Sequence, residues 1–229
     1  MNHSSMLKKP KAILFDMDGV LVDSEALHWQ SVELLLHSHL GVSPPYLEPR
    51  VGWGDHALWR EFIIQFSLSG TPESLTNERG QIAMELLRKT PPPQMKDAMV
   101  ALILWKKYDP NLKLAVVSAS PKEQMIQSLT DYKDETDLSL FDLIISGVDD
   151  VTENKPHPAP YLRAMNLLEV TPKECWIAED SSTGLTAGIA SGANVFAVGA
   201  HTVEQKLLSK CQKEMSTLLD LFHLWQSLK

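Results

Sequence analysis

AILFDMDGVLVDSE, Ala12 to Glu25, begins as four apolar residues and then breaks into two carboxylates two positions apart, Asp16 and Asp18, followed by Gly19. The apolar run suits a buried strand, and the acids fall where that strand ends. Two carboxylates so placed share one cleft and can divide the work there. Asp16 is placed to attack an electrophile, and Asp18 to give a proton to a leaving oxygen and later take one from water. A calcium loop does not fit: an EF-hand needs glycine sixth and glutamate twelfth, whereas counting from Asp16 puts Gly19 fourth and Leu27 twelfth. A plain turn is the remaining alternative for this segment taken alone.

Further apolar runs occur at Leu114 to Val117, Leu143 to Ile145, Trp176 to Ala178 and Val195 to Val198. Helix-like stretches lie between them, at Lys122 to Thr130, Ala159 to Leu168 and Thr183 to Ser191. That alternation predicts an α/β fold, a doubly wound, Rossmann-like parallel sheet. Roughly a hundred residues separate the first run from the second, far more than one crossover needs. The excess reads as helical, with Leu27, Leu34 and Leu35, then Leu58, Phe62, Ile63 and Phe66, then Ile82, Leu86 and Leu87 at helical intervals. We therefore expect a core domain over 1–23 and 93–229 and an inserted small helical cap over 24–92. Pro91, Pro92 and Pro93 close the insert, because three prolines cannot continue a helix. Met215, Leu218, Leu219 and Phe222 predict a C-terminal packing helix, and Cys211 falls in a polar, helix-like stretch.

Composition narrows the function classes. A net charge of -8 over 229 residues argues against a nucleic-acid surface, since a phosphate backbone calls for concentrated Lys and Arg. Two cysteines are too few for a disulfide framework, which predicts a reducing, cytoplasmic location. No run of about eighteen apolar residues exists, so no membrane span is expected. Nor does the N-terminal segment carry the apolar stretch of a signal peptide.

The first segment does not stand alone. FDMDGVLVDSE at Phe15 to Glu25, VVSAS at Val116 to Ser120, KPHPAPY at Lys155 to Tyr161 and AEDSSTG at Ala178 to Gly184 occur in this order, each at a strand end or helix start. Together they resemble the haloacid dehalogenase superfamily, in particular its phosphatase and beta-phosphoglucomutase-like branch. The resemblance implies a phosphoric monoester hydrolase that uses Mg2+ and an aspartyl-phosphate intermediate. It implies Asp16 as nucleophile and metal ligand, and Asp18 as general acid and base with its carbonyl on the metal. Ser118 and the amide of Ala119 would hold the phosphoryl group, and Lys155 would neutralise charge beside it. Asp180 would ligate the metal, with Glu179 helping through a metal-bound water. The physics agrees: a transferring phosphoryl group is stabilised by placed positive charge and amides, and magnesium prefers carboxylate oxygen.

Taken singly, Ser118 is a turn or cap residue, Lys155 a solvated loop lysine and Asp180 an N-cap. His28, Trp53 and Arg79 are candidates for substrate contact, with His56 beside them, while Trp59 reads as core. His37, His39 and His157 are assigned to no metal. Asp18 argues against a dehalogenase, which has no use for a second acid. The absence of lysine between Lys11 and Lys89 argues against a phosphonate hydrolase with a cap Schiff base. In the mutase, a cap-loop arginine binds a second phosphate; here that stretch reads Gly52, Trp53, Gly54, Asp55, His56, and Asp55 would repel one. The expected substrate is a small phosphorylated metabolite, a sugar phosphate or nucleotide, hydrolysed by a monomer. A phosphosugar mutase and a non-catalytic metabolite- or partner-binding protein are the alternatives.

Overall fold

The computed structural model describes residues 7–42, 55–95, 97–130, 137–200 and 202–228, without the side chains of Asp55 and Asp137. Six parallel strands form its sheet: β1 (Ala12–Phe15), β2 (Lys113–Ser118), β3 (Leu143–Ser146), β4 (Cys175–Glu179), β5 (Asn194–Val198) and β6 (Lys213–Met215). Their order is β3-β2-β1-β4-β5-β6. From β1 the chain builds outward through β2 and β3, then crosses back to lay β4 on the other side of β1. That reversal is the switch point, and a ligand crevice opens there at the carboxyl ends of the strands.

The strands are apolar without interruption because both faces are covered. In β1, Ile13 and Phe15 enter one core, while Ala12 and Leu14 enter the other. The first core takes helices α4 (Ala98–Tyr108), α5 (Lys122–Leu129) and α9 (Leu218–Ser227), with Trp105 against Phe15 at 5.6 Å and against Phe222 at 5.9 Å between ring centroids. The second takes α6 (Ala159–Leu167), α7 (Ser182–Ala190) and α8 (Gln205–Leu208).

Between β1 and α4 the described residues form three helices, α1 (Glu25–Leu40), α2 (Asp55–Phe66) and α3 (Pro72–Lys89). They carry a cluster of their own, built from Val32, Leu35, Leu36, Leu58, Trp59, Phe62, Leu68 and Leu75. The start of α3 is set by Thr71, whose hydroxyl accepts from the Ser74 amide while Ser74 caps back, with Pro72 in the first turn. Entry and exit of the insert run side by side. Asp23 N donates to Pro93 O and Met95 N to Leu21 O, both at 2.8 Å, and Val22 bridges Gln94. The last helix of the insert, α3, also packs on α5 of the core, where Arg88 pairs with Glu123 at 3.0 Å and Gln124 Nε2 donates to Gly80 O at 3.3 Å.

The sequence reading differs from this fold in several places. Met215 is not on the C-terminal helix; it ends β6, and the helix starts at Leu218 because Thr217 and Asp220 form a capping box there. Cys211 lies in a bend between α8 and β6. Helix α4 lies outside the helix-like stretches that the sequence predicts. On α1 the buried face is Ser31, Val32, Leu35 and Leu36, and Leu34 is exposed, so the stripe is turned by about a quarter of a helical turn from the expected one. Among the described residues no helix is long and apolar enough to cross a membrane.

Candidate active site

Asp16 follows directly from β1, and its amide extends the ladder by donating to Ala178 O at 2.9 Å. The chain then turns sharply, with Leu21 N on Met17 O and Gly19 N on Val22 O, both at 2.8 Å. Gly19 has φ +78, and a Cβ there would stand 2.0 Å from Asp180 Oδ2. Two separate demands therefore select glycine: the left-handed backbone, and the close approach of the Asp180 carboxylate to the backbone beside Asp18.

Lys155 reaches this point from the loop before α6, and its side chain is 3% exposed. Its ammonium donates to Asp16 Oδ1 at 2.8 Å, Val117 O at 2.8 Å and Glu179 Oε1 at 2.7 Å, which uses all three of its protons. Glu179, fully buried at the end of β4, is engaged on both oxygens. Oε1 also accepts from Tyr161 Oη at 2.7 Å, and Oε2 accepts from the Asp180 and Ser181 amides and the Ser181 hydroxyl. Gly184 on α7 makes room for it, since a Cβ there would come within 1.7 Å of Oε1.

The second carboxylate, Asp18, sits across the cleft. Its Oδ1 accepts from Ser24 Oγ at 2.5 Å and faces His28 Nε2 at 3.2 Å, and its Oδ2 lies 3.5 Å from the hydroxyls of Ser118 and Ser120. Arg79 Nη1 stands 3.1 Å from His28 Nδ1. A guanidinium can only donate, so Nδ1 is the bare nitrogen and Nε2 carries the hydrogen that points at Asp18. Burial alone would raise the Asp18 carboxyl, but the hydrogen bonds of His28 and Ser24 outweigh it and hold it below the usual range.

Oxygens of Asp16, Glu179 and Asp180 lie within 4.8 Å of one another, the one such group of three among the described residues. Burial, then the Glu179 charge, pushes Asp16 up to about 7 against the opposing Lys155. Burial, then Asp16 and Glu179, pushes Asp180 up to about 9. Burial opposes the charge on Lys155, yet Asp16 and Glu179 raise its pKa well above the ordinary value. One ammonium thus serves a crowd of acids, and Asp180 Oδ1 is buried with no hydrogen-bond partner. An oxygen-preferring divalent cation fits that geometry through Asp16 and Asp180. Glu179 is already saturated by protein donors.

Of the expected residues, Asp16, Asp18, Ser118, Lys155, Glu179, Asp180, His28 and Arg79 converge on this cleft, with Ala119 at its lip. Trp53 lies outside the described residues, as do Gly52, Gly54 and the side chain of Asp55. Trp59 is core, and His56 pairs at 3.6 Å with Glu73, both exposed. His39 pairs with Glu78, and His157 with Glu153. Sequence reasoning gave no role to Ser24, Tyr161 or Gln124. Tyr161 stands in the third motif, but its contact with Glu179 spans 18 residues and has no local signature.

The profile of the haloacid dehalogenase-like hydrolases matches residues 13–198. A phosphorylated carbohydrates phosphatase of Thermotoga maritima is 28% identical over 191 residues, spanning 80% of this chain and 82% of that protein. CbbY of Rhodobacter sphaeroides, solved in complex with phosphate, superposes with a TM-score of 0.76 at 20% identity, over 93% of this chain and 96% of that one. Beta-phosphoglucomutase of Clostridium difficile does so with 0.73 at 22%, over 95% and 96%. The two structures share the fold. The chain belongs to the haloacid dehalogenase-like hydrolase family, and the phosphoric monoester hydrolase expected from the motifs accords with the phosphatase among its relatives.

Proposed function

We propose that this hydrolase is a magnesium-dependent phosphatase that cleaves a small phosphomonoester, a sugar phosphate or nucleotide, in two steps through a phosphorylated Asp16. The observation that carries the reading is the pairing of Asp16 with a buried lysine at 2.8 Å while Asp18 stands across the same cleft on a separate hydrogen-bond network. One carboxylate is poised against positive charge, the other against donors.

In the first step an Asp16 oxygen attacks phosphorus, the ester P–O bond breaks, and the leaving oxygen takes a proton from Asp18. In the second, water attacks phosphorus and gives its proton to Asp18, the bond to Asp16 breaks, and phosphate leaves. Asp18 is held as a carboxylate in the resting site, ready for the second step, so it takes up a proton before the first. Lys155 offsets charge as two anions meet, and Ser118 and the Ala119 amide hold the phosphoryl oxygens. Bound magnesium, held by Asp16, Asp180 and the Asp18 carbonyl, would neutralise the remaining negative charge. Glu179 fixes Lys155, which a saturated carboxylate does better than a labile one.

The insert over 24–92 acts as a cap. Its His28 reaches Asp18 with Arg79 behind it on Nδ1, and its Leu27, Ala83 and Leu87 wall the leaving-group side of the cleft opposite Gln124 and Ser128. The relative that acts on phosphorylated carbohydrates supports a sugar phosphate as the first substrate class to test. We place the protein in the cytoplasm as a monomer.

Phosphate release from sugar phosphates, nucleotides and an aryl phosphate, with magnesium and with EDTA, tests the reading. Asp16→Asn should lose at least about a thousandfold in turnover while keeping its circular dichroism. Normal turnover in the folded variant would refute the mechanism. Conversion of beta-glucose 1-phosphate to glucose 6-phosphate without release would identify a mutase.

A further inference from the structure

The phosphoryl-binding loop, Ser118 to Ser120, is held from behind by three consecutive carbonyls. Ser118 O accepts from Gly147 N at 2.8 Å, continuing the β2–β3 ladder past its last pair. Ala119 O accepts from Asn154 Nδ2 at 2.9 Å, and Ser120 O from Ser146 Oγ at 2.8 Å. A trans peptide points its C=O and N–H in opposite directions. Anchoring the Ser118 carbonyl toward β3 therefore aims the Ala119 N–H away from β3. That amide makes no hydrogen bond among the described residues.

Asn154 does a second thing. Its Oδ1 accepts from the Lys155 amide at 2.7 Å, so one side chain ties the loop to the residue that carries the lysine. Gly147 makes this possible: a Cβ there would fall 2.0 Å from Asn154 Oδ1 and 2.5 Å from its Cγ. Gly147 does not use a left-handed backbone, so the missing Cβ is a matter of space for Asn154 and not of conformation.

We infer that Asn154, seated against Gly147, is a positioning residue that holds the Ser118–Ser120 loop and Lys155 in register for an incoming phosphoryl group. The inference rests on the phosphatase reading for the identity of that group. Its physical content is preorganisation: amides fixed before the substrate arrives need no reorganisation during the reaction. Asn154 touches neither Asp16 nor Asp180, so it should act on phosphate and leave the metal alone.

The test is a double-variant cycle on the full-length protein with Asn154→Ala, Gly147→Ala and both together. Calorimetric Kd values would be taken for magnesium alone and for inorganic phosphate with saturating magnesium. Loss of one such hydrogen bond should weaken phosphate by about three- to tenfold in each single variant, with the magnesium Kd within about twofold and the melting temperature nearly unchanged. Alanine at 147 works only by evicting Asn154, so the double variant should be no weaker than Asn154→Ala. Unchanged phosphate binding in Asn154→Ala, a double variant whose loss is the product of the two singles, or a parent protein that binds no phosphate would each overturn the inference. A parent that binds phosphate but hydrolyses no ester would refute the phosphatase reading instead, and the same Kd values would still judge the clamp.

Discussion

Replacing Lys155 with methionine removes the cation at the centre of the site while nearly preserving its volume. The structure dictates what remains: Asp16, 7% exposed, and Glu179, fully buried, each lose a charge-assisted hydrogen bond and face each other without a counter-charge. Breaking a buried pair from one side costs about 3–5 kcal/mol. The cost must depend on pH, because a buried carboxylate without a partner takes up a proton. Asp16 is already raised to about 7 with Lys155 present, and the variant loses the one cation that holds it down. A carboxyl group raised in the folded state contributes stability at low pH and loses it as pH climbs from the unfolded value of about 4 through the folded one. Near pH 4.5 Asp16 is neutral in the fold, which removes the repulsion between the two acids and leaves mainly lost hydrogen bonds, about 1–2 kcal/mol. Near pH 8 the full 3–5 kcal/mol should appear, at a slope approaching about 1.4 kcal/mol per pH unit for each proton taken up. Urea unfolding of both proteins in EDTA, from pH 4.5 to 8.5, measures the difference. A deficit independent of pH, or one below about 1 kcal/mol at pH 8, would refute the reasoning by showing that water reaches the two carboxylates.

Two further outcomes follow from the same charges and contacts. In EDTA the melting temperature should fall as pH rises through about 7 and about 9, because Asp16 and Asp180 lose protons they hold only in the fold; added magnesium should restore it, more at pH 8.5 than at pH 6, as read by differential scanning fluorimetry, and equal gains at both would count against the carboxylate site. Gly184→Ala should destabilise by about 1–3 kcal/mol and slow phosphate release, since its Cβ meets the Glu179 carboxylate, which five protein donors hold in place; parent-like unfolding and turnover would mean that Glu179 can move.

Much of the molecule was legible in the order of residues. Five of the six strands show as short apolar runs, because a strand buried on both faces has to be apolar throughout. The carboxylates of the site show because each stands where such a run stops. What escaped has a physical cause in each case. β6 is three residues long with two exposed, Lys213 and Glu214, so it carries no apolar signal and exists because β5 offers an open edge. The phase of α1 was set by α3, which packs along it with Leu75 in the shared cluster and Arg79 against Ser31, and periodicity within α1 does not encode that partner.

By itself, then, the sequence determined which residue types occupy the strand ends, and hence that carboxylates, a serine and a lysine meet at one crevice. Only the tertiary structure decided how they share it. Lys155 meets Asp16 across 139 residues, Asn154 meets Ala119 across 35, and Arg79 meets His28 across 51. Chain spacing carries no record of such pairings; they arise because parallel strands bring their ends to one edge, and because glycines at 19, 147 and 184 leave room for side chains from elsewhere to enter.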